Sequence, residues 1–269
     1  MADAQSSGVS TLFGWTGRRS LRLGAYLLDL TSFIISAVRE RGGQRHYFNR
    51  ATINTLVTQI IFTGVDALPV VTLLALAIGI SITSEILDLG QALGSEHDVE
   101  LLLANVIGTE LAPLLTAIVL IGRSGSAITV DMGLMQVRGE VEGLMLLGIN
   151  INHFFVTPRI LGTAISQLTL AIYFAAIALF GGVLLAGLIF STQYSHEVTR
   201  LIAVLRPSQF LIFVLKNLLF GMIVAGTACF HGLRVGSSPT ELPHQTQRAI
   251  VTSLVLVFLV DGLLAIITQ

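Results

Sequence analysis

Apolar residues run through this chain in five long blocks, about 67–87, 101–122, 160–190, 208–233 and 249–267, separated by stretches that hold most of the charge. Each block is long enough to cross roughly 30 Å of hydrocarbon, and lipid offers the backbone no outside partner, so each is expected to form a spanning helix. The third is longer than a straight crossing needs and should tilt or extend past the bilayer. Residues 21–38 (LRLGAYLLDLTSFIISAV) differ. Leu23, Leu27, Leu30, Ile34 and Val38 fall at helical spacing there, with Arg22 and Asp29 interrupting the apolar run. That pattern predicts a helix lying in the interface rather than a sixth span. The expected fold class is an all-α integral membrane protein, with an N-terminal interfacial helix and five transmembrane helices. Residues 1–50 are read as a cytoplasmic or interfacial segment and 51–269 as a single transmembrane domain.

Composition agrees. Of 269 residues, 53% are hydrophobic and 12% charged, against a charged fraction of about 25% in soluble domains. The net charge of −1 conceals an uneven distribution, because 14 of the 15 basic residues are arginine and the single lysine, Lys216, stands inside an apolar block. Nucleic-acid binding is not expected. One cysteine, Cys229, forms no internal disulfide and builds no cysteine metal site. The first twenty residues hold no continuous apolar core of a signal peptide, so no cleavable signal is expected.

The arginines predict orientation. Arg18, Arg19, Arg22, Arg39, Arg41, Arg45 and Arg50 precede span 1, Arg138 and Arg159 follow span 2, and Arg234 and Arg248 follow span 4. The other side has Arg200 and Arg206, and its first loop (DLGQALGSEHDVE) has acids but no basic residue. The positive-inside bias places the N-terminus in the cytoplasm and, with five spans, the C-terminus outside. Thr157-Pro158 suits an N-cap followed by proline at the start of span 3, and Pro207-Ser208 starts span 4. Ala75 with Gly79, Gly182 with Ala186 and Gly221 with Ala225 are small pairs at helix-packing spacing.

Three ions stand inside the apolar blocks. Glu110 lies about nine residues into span 2, Lys216 about eight into span 4 and Asp261 about six from the end of span 5, which puts all three in one layer roughly 9 to 14 Å below the external face. A lone ion there is costly, so Lys216 is expected to pair with Glu110, Asp261 or both. Two roles fit: a clamp that holds spans 2, 4 and 5 together, or a polar wall for a substrate headgroup.

Gly122–Ile149 reads GRSGSAITVDMGLMQVRGEVEGLMLLGI. With Arg123 ending span 2, this run is predicted to be a cytoplasmic elbow, its turn marked by Gly122, Arg123, Gly125 and Asp131. From Gly139, GEVEGLMLLG places Val141, Leu144, Met145 and Gly148 on one helical stripe, puts Glu140 and Glu142 in the first turn and ends at a glycine. A short amphipathic helix of this kind can press an apolar face into a partner's groove.

The run ELAPLLTAIVLIGRSGSAITVDMGLMQVRGEVEGLMLLGI, followed by FFVTPRILG, resembles the signature of MlaE/YrbE-type permeases, the membrane subunits of MCE-associated ABC lipid transporters. The resembling features are an E-L-x-P span, a G-R-x-G-S-A-x-x-x-[DE]-x-G turn, an acidic helix ending in L-G-I and a V-x-P-R. The resemblance implies a dimer with a second permease copy and a cavity for phospholipid at the interface. It implies an ATPase coupling helix (Glu140, Val141, Glu142, Leu144, Met145, Leu147, Gly148) docked on a cytoplasmic ABC ATPase that binds the ATP and Mg, and an external, periplasmic MCE hexamer. The host would be the bacterial inner (plasma) membrane, crossed several times. Leu73, Leu76, Ile80 and Ile86 of span 1 are candidate cavity residues. Three places depart from the family pattern: Gly139 where a glutamate usually opens the elbow helix, Asn150-Ile151 where Asp-Pro usually follows, and Thr109 where a basic residue often stands.

The chain has no G-x-x-x-x-G-K-[ST] loop and its only lysine is intramembrane, so no cofactor or metal is expected in it and energy must come from another subunit. Two rivals remain: a secondary transporter or channel using the intramembrane charges, and a rhomboid-like protease reading Gly122-Arg123-Ser124-Gly125 as G-x-S-G with His231.

Overall fold

The computed structural model describes residues 24–37, 50–93, 104–182, 184 and 207–268. Leu23, Val38, Ala186, residues 94–100 of the loop after span 1, and the arginines at 18, 19, 22, 39, 41, 45, 200 and 206 fall outside them, while the first six residues of that expected loop, 88–93, continue the helix of span 1. The described residues form helices and turns, with no strand among them. Residues 1–44 and 45–269 are two separate compact units. In the first, the described helix is α1 (Gly24–Ala37), an apolar helix shorter than the spans. Leu30 and Ala37 are buried on it, while Leu28 and Ile35 are exposed.

The second unit holds five helices long and apolar enough to cross a membrane: Ile53–Ile86, Val106–Val137, Asn152–Gly181, Phe210–Gly232 and Pro239–Ile267. Span 1 begins well before the expected residue 67. It comprises α2 (Arg50–Thr63), a 3₁₀ turn at Val65–Ala67 and α3 (Leu68–Leu93). The turn follows from Pro69, which has no amide hydrogen for the carbonyl of Val65 four residues back; the amide of Leu68 donates to that carbonyl instead.

Span 2 is also longer than the sequence predicts. A π-type turn at Ala104–Leu111 leads into α4 (Ala112–Leu120), a second wide turn at Ile121–Gly125 follows, and α5 (Ser126–Val137) continues the same rod. The expected elbow at Gly122, Arg123, Gly125 and Asp131 is therefore corrected: these residues lie within a helix, not in a connection. The small residues there serve packing, since Ser124 and Gly125 are buried and a Cβ on Gly125 would meet Val224 at 3.3 Å.

The true connection is α6 (Glu140–Leu146), framed by glycines with φ of 71° (Gly139) and 77° (Gly148). At its end the amide of Gly148 donates to Met145 O (2.9 Å) and that of Ile149 to Leu144 O (3.0 Å), the paired bonds of a Schellman motif that needs a left-handed residue. Span 3 starts with a wide turn at Asn152–Val156 and continues as α7 (Thr157–Ala176). Thr157 is thus no N-cap: its hydroxyl donates back to Asn152 O at 3.0 Å inside a running helix. Span 4 is α8 (Pro207–Gly232), starting at the expected proline, and span 5 is α9 (Leu242–Thr268).

α8 lies at the centre, against α5, α7 and α9, while α2 and α3 pack on span 3. Close approach requires glycine at two crossings. A Cβ on Gly221 would lie 2.4 Å from Ala164 Cα, and one on Gly79 2.4 Å from the Ala178 carbonyl oxygen. Val71, Ile107, Leu120, Phe174, Phe220, Val224 and Val257 fill the core between spans.

Candidate functional site

The three isolated ions meet. Lys216 Nζ lies 2.8 Å from Glu110 Oε2 and 2.6 Å from Asp261 Oδ1, joining spans 2, 4 and 5. Its third contact, to Thr109 O at 3.1 Å, follows from the E-L-x-P sequence: Pro113 has no amide hydrogen for the carbonyl four residues earlier, and the ammonium supplies one. The Lys216 side chain is 4% exposed and that of Asp261 13%, whereas Glu110 is 44% exposed. Glu110 is therefore the most accessible member of the set.

Behind this layer is an amide network that carries no charge and left no mark in the hydrophobic pattern. Gln167 Nε2, on α7, reaches Pro113 O (3.0 Å), Thr116 Oγ1 (2.9 Å) and Asn217 Oδ1 (3.1 Å). It ties spans 2, 3 and 4 in the buried interior.

From the middle of span 2 towards its far end a second set of charges appears. Arg123 Nη1 donates to Phe62 O at 2.9 Å, its Nη2 lies 3.4 Å from Asp66, and the guanidinium stands over the Phe62 ring at 5.3 Å. Two turns further, Arg159 pairs with Asp131. A cleft of about 510 Å³ opens between α2, α5 and α7 beside that pair.

The short helix α6 presents the opposite surface. Val141 is buried and anchors it, while Met145, Leu146 and Leu147 are exposed, Leu146 by 84%. Three consecutive apolar side chains thus stand exposed at the tip of a connection. Glu140 is held by Arg138 at 3.6 Å. Where the family pattern has Asp-Pro, the side chain of Asn150 accepts from the amide of Asn152 at 3.0 Å, taking over the lead into span 3.

The family described as Permease MlaE matches residues 56–267. The chain belongs to the MlaE permease family. It is 27% identical over 212 residues to the chloroplastic protein trigalactosyldiacylglycerol 1 of Arabidopsis thaliana, covering 79% of this chain and 60% of that protein's length. A probable ABC transporter permease protein of Rickettsia bellii is 23% identical, covering 92% of this chain and 94% of the relative. A probable ABC transporter permease protein, ycf63, of Pyropia yezoensis is 25% identical over 80% of this chain and 82% of its own.

Within this MlaE permease the remaining sequence candidates take distinct places. Ser124 Oγ is buried with no hydrogen-bond partner, and His231 Nδ1 lies 3.1 Å from Gln245 Oε1, so the G-x-S-G serine and this histidine do not form a dyad. Leu73 is exposed and Leu76, Ile80 and Ile86 are half-buried; at i, i+3 and i+7, Leu73, Leu76 and Ile80 fall on one face of α3, and Ile86 falls off it. Among the described residues no three His, Cys, Asp or Glu side chains gather as a metal cage requires.

Proposed function

We propose that this MlaE-family permease is the membrane subunit of an ABC transporter that moves phospholipid or a similar lipid between the inner membrane and an external MCE protein. A separate cytoplasmic ATPase, holding ATP and Mg, drives it through α6, and two permease copies enclose the lipid. The carrying observation is the exposed Met145-Leu146-Leu147 tip on a helix anchored by Val141 and framed by two left-handed glycines. Such a rigid knob transmits a push from a partner into span 2 through Gly139 and into span 3 through Asn150. A lipid ligand is supported by the diacylglycerol lipid in the name of the Arabidopsis relative, and by the placement of Glu110, Lys216 and Asp261 in one intramembrane layer.

The test is purification of the tagged chain from native membrane. A nucleotide-binding subunit is expected to accompany the wild type and to be lost from Leu146→Glu, whose side chain makes no buried contact. A complex that never contains such a subunit, or lipid transfer that persists when the subunit's ATP hydrolysis is blocked, overturns the reading.

A further inference from the structure

The cleft between α2, α5 and α7 lies far from the Glu110–Lys216–Asp261 layer. Glu110 and Asp131 ride on the same rod about six turns apart, roughly 30 Å at the helical rise and close to the thickness of a hydrocarbon core. Asn54 to Gln59 occupy the first turns of span 1, Arg159 lies seven residues inside span 3 and Asp131 six residues from the end of span 2, so all stand at one end of the bundle. With the charge layer roughly 9 to 14 Å below the external face, the separation of Glu110 and Asp131 carries the cleft about 10 to 15 Å past a hydrocarbon core of roughly 30 Å, to the aqueous edge of the headgroups opposite the charge layer.

The lining is chemically paired. Arg159 is 10% exposed, and although Nη2 holds Asp131, Nη1 is buried with no hydrogen-bond partner. Half of a planar fork suited to two oxygens is left unused, and a phosphate oxygen is the acceptor it lacks. Asp131 is 61% exposed, and with Oδ2 on the guanidinium its other oxygen is left for a second donor. An anion alone would meet that carboxylate as a like charge; a ligand carrying a phosphate and an ammonium together satisfies both ends. Thr55 and Thr58 add hydroxyls, and Phe62 and Ile128 add apolar walls, within a volume of about 510 Å³, which falls in the roughly 300–1,000 Å³ range of small-molecule sites.

We propose that this cleft holds the zwitterionic headgroup of a phospholipid, phosphate against Arg159 and amine against Asp131, as a second polar station in the opposite leaflet. The shared chemistry is a phosphodiester bearing an amine. The lipid as its source rests on the transport reading above.

The experiment is native mass spectrometry of the full chain released from micelles containing equal phosphatidylethanolamine and phosphatidylglycerol. Wild type is expected to retain phosphatidylethanolamine preferentially. Thr58→Phe, which fills the cleft from its exposed rim and leaves the ion pair alone, is expected to reduce that retention at least tenfold, and Asp131→Asn with Arg159→Gln to do the same. A parallel sample receives excess glycerophosphoethanolamine without lipid; stable retention of this soluble form alone would make the ligand a soluble phosphodiester and overturn the lipid assignment. Unchanged retention in Thr58→Phe, or equal retention of the two lipids by wild type, would overturn the site. Neither result touches ATPase copurification, so failure of the cleft and failure of the transport reading are separately visible.

Discussion

Arg123 donates to the carbonyl of Phe62 at 2.9 Å, across the break in span 1 and from a wide turn in span 2. The contact exists because α2 ends at Thr63, which leaves its last carbonyls without amides of a continuing helix. The Arg123 pair with Asp66 is longer, at 3.4 Å, and half in the open. Arg123→Gln should therefore cost about 1.5–3 kcal/mol, the value of a charge-assisted bond, whereas Asp66→Asn should cost about 0–1 kcal/mol. Thermal unfolding of the two variants in detergent checks the order; equal losses would show that the ion pair, not the carbonyl contact, holds the break.

Lys216 carries two carboxylates of unequal burial, and that inequality makes a directional prediction. Lys216→Met leaves both acids without their cation and should destabilise by about 3–5 kcal/mol, the usual loss when one member of a buried pair is removed. Adding Asp261→Asn should restore more stability than adding Glu110→Gln, because Asp261 is 13% exposed and Glu110 44%. The yield of folded protein and its unfolding midpoint are the readouts. Rescue by Glu110→Gln alone would place the buried charge on the other acid.

What the sequence made legible was what stands out locally. Five apolar blocks announced five spans, three ions in apolar surroundings announced a layer, and a glycine after ten residues of amphipathic pattern announced the end of α6. Span 1 was shortened because Asn54, Thr55, Thr58 and Gln59 interrupt its first turns; they are polar because they face the cleft, a reason that exists only once α5 and α7 are in place. The glycines and serines at 122–126 looked like a bend, yet small residues suit a tight helix crossing as well as a turn, and pattern alone does not separate the two. Arg159 with Asp131, and Gln167 with Asn217, join positions far apart in the chain, so nothing local marks them.

Glycine at position 221 is a packing requirement, whereas glycine at 262 is not. A methyl on Gly221 meets the backbone of Ala164, which cannot yield without moving α7, while one on Gly262 meets nothing within 4 Å. Gly221→Ala should lower stability by about 1–3 kcal/mol or more through overpacking. Gly262→Ala should leave it unchanged or raise it by up to about 1 kcal/mol through helix propensity. Unfolding of the two variants side by side tests this, and a tolerated Gly221→Ala would mean that α7 and α8 are less tightly apposed.

The proposed topology puts α6 on the cytoplasmic side of the membrane, and the chain offers a clean way to read it. Cys229 is its only cysteine and is buried, so a thiol placed on the surface is the one that reacts. Leu147 is exposed at the tip of α6 and contributes nothing to the core, so Leu147→Cys should fold as the wild type does. Arg138, Arg159, Arg234 and Arg248 all belong to this end of the bundle, and the positive-inside bias puts such an end in the cytoplasm. In sealed spheroplasts Leu147→Cys should resist a membrane-impermeant maleimide and should react once the cells are opened. Adding the cytoplasmic ATPase to opened membranes should then slow that reaction, because the tip becomes covered. Labelling from outside the sealed spheroplast would invert the whole topology and remove the partner from reach of α6.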